Sequence, residues 1–94
     1  LMTLDTIRNA ILSLIPTFPI SRVILFGSRA SGTNRDDSDV DLIMEFSEPI
    51  TLLTLSDIKL RLENILGLSV DVVHGPLRDS DILNISKEIE IYAA

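Results

Sequence analysis

Three aspartates, Asp37, Asp39 and Asp41, stand two apart where a polar loop runs into the apolar stretch VDLIMEF, residues 40–46. In an extended chain alternate side chains share a face, so Asp39 and Asp41 should project together, about 6–7 Å apart along the strand. Another acid, Asp71, lies within the short apolar run SVDVV. If that run is a strand beside the first, Asp71 joins the same face. Carboxylates so close repel one another and raise each other's pKa unless a cation neutralises them. Hard oxygen ligands suit magnesium or manganese, and two such ions about 3.5–4 Å apart can clamp the attacking and leaving oxygens of a phosphoryl displacement. A calcium loop also uses acids at this spacing, but it requires glycine at the position where this chain has Leu42. Taken singly, each aspartate is also what a half-solvated strand shows to water.

Upstream, SRVILF ends in Gly27-Ser28. A strand that turns into a helix start presents unpaired backbone N–H groups, and glycine lets a phosphate approach them closely. Ser28 adds a hydroxyl donor, and Arg29 and Arg35 add positive charge. A nucleoside triphosphate would then rest on Gly27, Ser28 and Arg29 while Asp39 and Asp41 hold the metal bridging its phosphates.

These residues need a scaffold. Leu4, Ile7, Ile11, Leu14 and Ile15 recur at helical spacing before Pro16, which predicts a helix over 3–14. Residues 21–26 read as a strand apolar on both faces, 28–31 as a brief helical turn and 40–46 as a strand with Val40, Leu42, Met44 and Phe46 inward. After Pro49, Leu52, Leu55, Ile58, Leu62, Ile65 and Leu66 mark a helix over 51–66 that Gly67 can cap. Residues 69–73 follow as a third strand, closed by Gly75-Pro76. Ile82, Ile85, Ile89 and Tyr92 then suggest a last helix, with Asp79 or Ser80 as N-cap. The predicted fold class is α/β: a small mixed three-stranded sheet with helices packed mainly on one face and the acids on the other.

Composition narrows the function classes. The chain has 94 residues, 46% of them apolar and 23% charged, which fits one globular domain. No apolar run approaches the length a bilayer requires, and Asp5, Arg8 and Asn9 interrupt the N-terminal apolar stretch, so neither membrane insertion nor export is expected. Eight basic against fourteen acidic residues give a net charge of −6, which disfavours a long nucleic-acid partner. With no cysteine there is neither a disulfide framework nor a thiolate metal site, and a cytoplasmic location is expected.

Gly27-Ser28, ten intervening residues, Asp39-x-Asp41 and a later strand aspartate at Asp71 together resemble the minimal nucleotidyltransferase (MNT) domains of the DNA polymerase beta-like nucleotidyltransferase superfamily. The resemblance covers nearly the whole chain, from the strand at Val23 to the expected last helix. It implies that residues 1–94 form a single minimal nucleotidyltransferase domain, that Asp39 and Asp41 bind metal, and that Asp71 is the metal-linked base. It also implies a partner: minimal members are commonly encoded beside HEPN-domain ribonuclease toxins, act as their antitoxins and can transfer AMP from ATP to a toxin tyrosine. The 94 residues hold no second domain of the kind larger relatives use to grip their substrates, so recognition is expected to come from a hetero-oligomeric partner.

Two rival readings stay open. One is an antitoxin that inhibits by docking through apolar helix faces, for which Leu53, Leu60, Leu83 and Ile91 lie off the main stripes. The other is nucleotidyl transfer to a small molecule such as an aminoglycoside. His74, alone after the third strand, is read as structural or solvated, and Tyr92 as core.

Overall fold

The computed structural model describes residues 2–77 and 87–94. Helix α1 spans Leu4–Leu14, opened by Thr3, whose hydroxyl accepts from the Thr6 N–H at 3.2 Å. It buries Ile7, Ala10, Ile11 and Leu14, the face that the sequence periodicity marks. Strand β1 (Ile20–Phe26) leads through Gly27 into the one-turn helix α2 (Ser28–Ser31), and β2 spans Val40–Phe46. Thr51 caps helix α3 (Leu52–Leu66), which ends at Gly67 in the left-handed conformation, φ 70°. Strands β3 (Val70–His74) and β4 (Ile89–Ala93) follow.

The sheet order is β3-β2-β1-β4, with β2 and β3 parallel and the other pairs antiparallel. Helix α3 is the crossover that a parallel β2–β3 pair requires. Val23, Leu25, Val40, Leu42, Met44 and Val70 are fully buried against the helices.

Three expectations need correction. Residues 89–93 form a fourth strand rather than the end of a helix. Ile89 and Tyr92 fit a helical spacing, but IEIYA also alternates and is rich in strand-favouring types, and the open edge of β1 supplies the backbone partners. Ile91, expected off the apolar stripe, is accordingly buried, at a register shift where β4 bulges opposite Val23 and Ile24. The remainder of the expected helix, with Asp79, Ser80, Ile82, Leu83 and Ile85, lies outside the described residues. On α3 only the line Ile58, Leu62, Leu66 is sealed, because residues four apart form a single row toward the neighbouring layer. Leu52 and Ile65, expected on that stripe, are exposed along with Leu53 and Leu60.

The acid face of the sheet is not uniformly open either. Ile24 and Ile43, paired across β1 and β2, are both buried there, apart from the main core. Gly75 packs so closely on this face that a Cβ at its position would stand 2.9 Å from Ile43 Cγ2. The apolar pair is thus sealed at one end of the face, leaving the acids at the other.

Candidate active site

Asp41 occupies the centre of the acid cluster because of register. Across β1 it is opposite Phe26, the last residue before Gly27, and across β2–β3 it is opposite Asp71. Asp39 immediately precedes β2 and extends the same period-two face. The structure therefore brings Asp39, Asp41 and Asp71 into one neighbourhood, with Asp41 half-buried and the other two exposed. Asp37 lies farther out, in the exposed loop between α2 and β2.

Burial raises the Asp41 pKa above the ordinary aspartate value, and the charges of Asp71 and then Asp39 raise it further. Such a site gains from a positive charge. Among the described residues, no three acidic, imidazole or thiol side chains are already set around a common point for one ion. The donor set is nonetheless all carboxylate and mutually repelling, with Asp41 half-buried, which fits a hard divalent cation such as magnesium or manganese better than a soft one.

The Gly27-Ser28 turn abuts this cluster. Gly27 has φ 73° and ψ −156°, a backbone region essentially restricted to glycine, and it caps α2 with no side-chain hydrogen bond. A Cβ there would overlap the Asp41 carboxylate, standing 3.1 Å from its Cγ. Glycine thus lets the turn lie directly against Asp41, and the first N–H groups of α2, those of Ser28 and Arg29, have no intrahelical partner, whereas Ala30 and Ser31 donate to the Gly27 carbonyl.

Arg29 has a different engagement from the one the sequence suggests. Its Nε donates to the Ser38 carbonyl at 3.1 Å, and its Nη2 donates to the carbonyls of Ser38, Asp36 and Arg35 at 2.8, 3.1 and 3.4 Å. The loop it holds is also closed on itself, since the Arg35 N–H donates to Ser38 Oγ at 2.8 Å and the Ser38 N–H to the Arg35 carbonyl at 3.1 Å. Arg35 stands exposed in that loop. Glu63, which the sequence does not single out, fixes the approach of β3: its Oε2 accepts from the Val70 N–H at 3.0 Å, next to Asp71. No local pattern marks an acid on a helix as an anchor for a strand seven residues on. His74 is exposed, its Nδ1 is 2.8 Å from the Gly75 carbonyl, and its ring lies 5.2 Å from that of Phe46. It stands at the far end of β3 from Val70 and Asp71.

Residues 4–93 match the nucleotidyltransferase domain family. The chain is 35% identical over 88 residues to a Methanocaldococcus jannaschii protein provisionally named as a protein adenylyltransferase, covering 88% of this chain and 94% of that one. It is 34% identical over 77 residues to the protein adenylyltransferase MntA of Thermococcus cleftensis, covering 78% of each. In fold it is similar to a chain of the complex between a tri-AMPylated Shewanella oneidensis HEPN toxin and its MNT antitoxin, with TM-score 0.71 and 14% identity, covering 98% of this chain and 74% of that one. The chain belongs to the nucleotidyltransferase domain family, with Gly27-Ser28 and the Asp39, Asp41 and Asp71 carboxylates converging at the end of its sheet.

Proposed function

We propose that this nucleotidyltransferase transfers AMP from ATP to a tyrosine of a HEPN-domain toxin and acts as that toxin's antitoxin, within a single minimal domain. The observation that carries the reading is the position of Asp41, with Gly27 packed against its carboxylate and Asp71 beside it on the next strand. The adenylyltransferase relatives and the AMPylated toxin of the similar complex support the class of acceptor.

Asp39 and Asp41 would hold magnesium or manganese together with the triphosphate, and Asp71 would complete the ligand set. Bound there, the cation supplies charge neutralisation at the phosphoryl oxygens. Gly27, Ser28 and the Arg29 N–H would cradle the phosphates, using backbone donors that need no further charge. Asp71 takes the proton of the attacking hydroxyl as general base. The tyrosine oxygen then bonds to the α-phosphorus, the bond from that phosphorus to the α–β bridging oxygen breaks, and pyrophosphate leaves.

Incubating the chain and a HEPN-domain partner with α-labelled ATP and Mg²⁺ should label the partner, and EDTA should abolish labelling. A partner that stays unlabelled while its ribonuclease activity is blocked would favour inhibition by docking. That second reading draws on the exposed side chains of α3, where Leu52 and Leu53 are 81% and 83% accessible. Asp39→Asn and Asp41→Asn separate the two, because neutralisation by transfer is lost in these variants and neutralisation by docking is kept.

A further inference from the structure

We infer that Arg29 is a positioning residue that ties the phosphate turn to the metal-binding aspartates, rather than a cation that meets the triphosphate. The inference rests on the nucleotidyl-transfer reading of the site. Its backbone lies in α2 immediately after Gly27-Ser28, so wherever the phosphate turn sits, the root of this side chain sits too. The Arg29 guanidinium reaches across to the loop before β2 and donates to three of its carbonyls, those of Arg35, Asp36 and Ser38.

Two of these bonds fork onto the Ser38 carbonyl, which belongs to the peptide group that leads directly into Asp39. On the other side of Asp39, the Val40 N–H donates to the Ser69 carbonyl at 2.9 Å. Asp39 is therefore held between two backbone anchors, one from Arg29 and one from the start of β3, although its own side chain is exposed. These anchors fix the backbone from which the Asp39 carboxylate projects. The fork also explains why arginine suits the position. A planar guanidinium can present two donors to one carbonyl and still reach its neighbours, whereas an ammonium is a single point of charge on a flexible stem.

The positioning role and a phosphate-contact role make opposite predictions for lysine. Lys keeps the charge and loses the fork, so Arg29→Lys should restore a phosphate contact but not the clamp. The measurement is Mn²⁺ affinity by electron paramagnetic resonance, with and without ATP, in the parent chain, Arg29→Lys, Asp39→Asn and the double variant. Positioning by Arg29 is expected to show as a fall of about 10- to 100-fold in Mn²⁺ affinity in Arg29→Lys, the size of losing charge-assisted hydrogen bonds. It should be present without ATP, and it should largely vanish in the Asp39→Asn background, because both substitutions act on one ligand. Hydrogen exchange of the Ser38 and Val40 amides, which donate to the Arg35 and Ser69 carbonyls, should quicken in Arg29→Lys, while the rest of the sheet keeps its protection.

Parent-like Mn²⁺ affinity and amide protection in Arg29→Lys would overturn the assignment. So would an effect seen only with ATP, or one undiminished in the Asp39→Asn background. If the parent binds Mn²⁺ with this arginine dependence but labels no partner with AMP, the transfer reading fails and the clamp on Asp39 stands. A parent that binds no Mn²⁺ would overturn both.

Discussion

Replacing Gly27 with alanine tests the site's geometry without reference to any ligand. The backbone there sits at φ 73° and ψ −156°, where a side chain is strained by about 1–3 kcal/mol. The added methyl would also overlap the Asp41 carboxylate, with Cγ 3.1 Å and Cβ 3.4 Å away, and inserting a methyl into a filled space adds about 1–3 kcal/mol. The two together come to about 2–6 kcal/mol, and even a loss of about 3 kcal/mol is a large part of the roughly 5–15 kcal/mol that holds a domain together. At about 4–8 °C per kcal/mol for a domain of this size, the melting temperature should fall by about 12–24 °C. Differential scanning calorimetry of Gly27→Ala, Asp41→Ala and the double variant separates the two contributions. Removing the Asp41 carboxylate makes room for the methyl, so the double variant should recover the overlap part, with a coupling of about 0.5–3 kcal/mol between neighbours, and keep the backbone part. A Gly27→Ala protein that melts within 2 °C of the parent, roughly half of one kcal/mol on that scale, would refute both parts of the reasoning. Strict additivity in the double variant would refute the close approach alone.

Further outcomes are expected at the acids. ATP at 100 times its dissociation constant should stabilise the fold by about 2.7 kcal/mol in a thermal shift with Mg²⁺ and not with EDTA, and equal stabilisation in EDTA would remove the cation from the site. Asp71→Asn should bind ATP nearly normally but transfer AMP about 10²–10⁴-fold more slowly, the usual contribution of a general base, and unimpaired transfer would return Asp71 to the solvent face. Burial, then Asp71, then Asp39 raise the Asp41 pKa in the metal-free fold, so the folded state holds its proton more tightly than the unfolded chain. The stability this confers is complete below the ordinary aspartate range and is lost as pH rises through the raised value. Asn has no charge to confine, so metal-free Asp41→Asn should melt above the parent at neutral pH and converge with it in acid; a variant less stable than the parent at pH 7 would contradict the sign.

What the sequence by itself determined is what local geometry determines. Strict alternation in VDLIMEF places Asp39 and Asp41 on one side of a strand, whatever else the chain does, because a strand has period two. Glycine before Ser28 marks a turn that another residue cannot make, and Gly67 marks the end of α3 in the same way. The helix over 3–14 was legible because its apolar residues repeat at 3.6 and its stop is a proline. Pairing is a different kind of information, since it depends on which segments meet after α3 has crossed the sheet. That Asp71 stands opposite Asp41 follows from the parallel register of β3 on β2, which Glu63 anchors from the helix. Residues 89–93 carry both a helical and an alternating pattern, and only the open edge of β1 decides between them. The burial of Ile24 and Ile43 on the acid face needs Gly75 to be brought over them. Arg29 reads in sequence as a charge beside a phosphate turn, yet three carbonyls of the loop before β2 lie within its reach and claim its donors. Hydrogen-bonding groups take whatever partners folding brings near, and those of Arg29 lie in a loop whose path neither helix nor strand periodicity reveals.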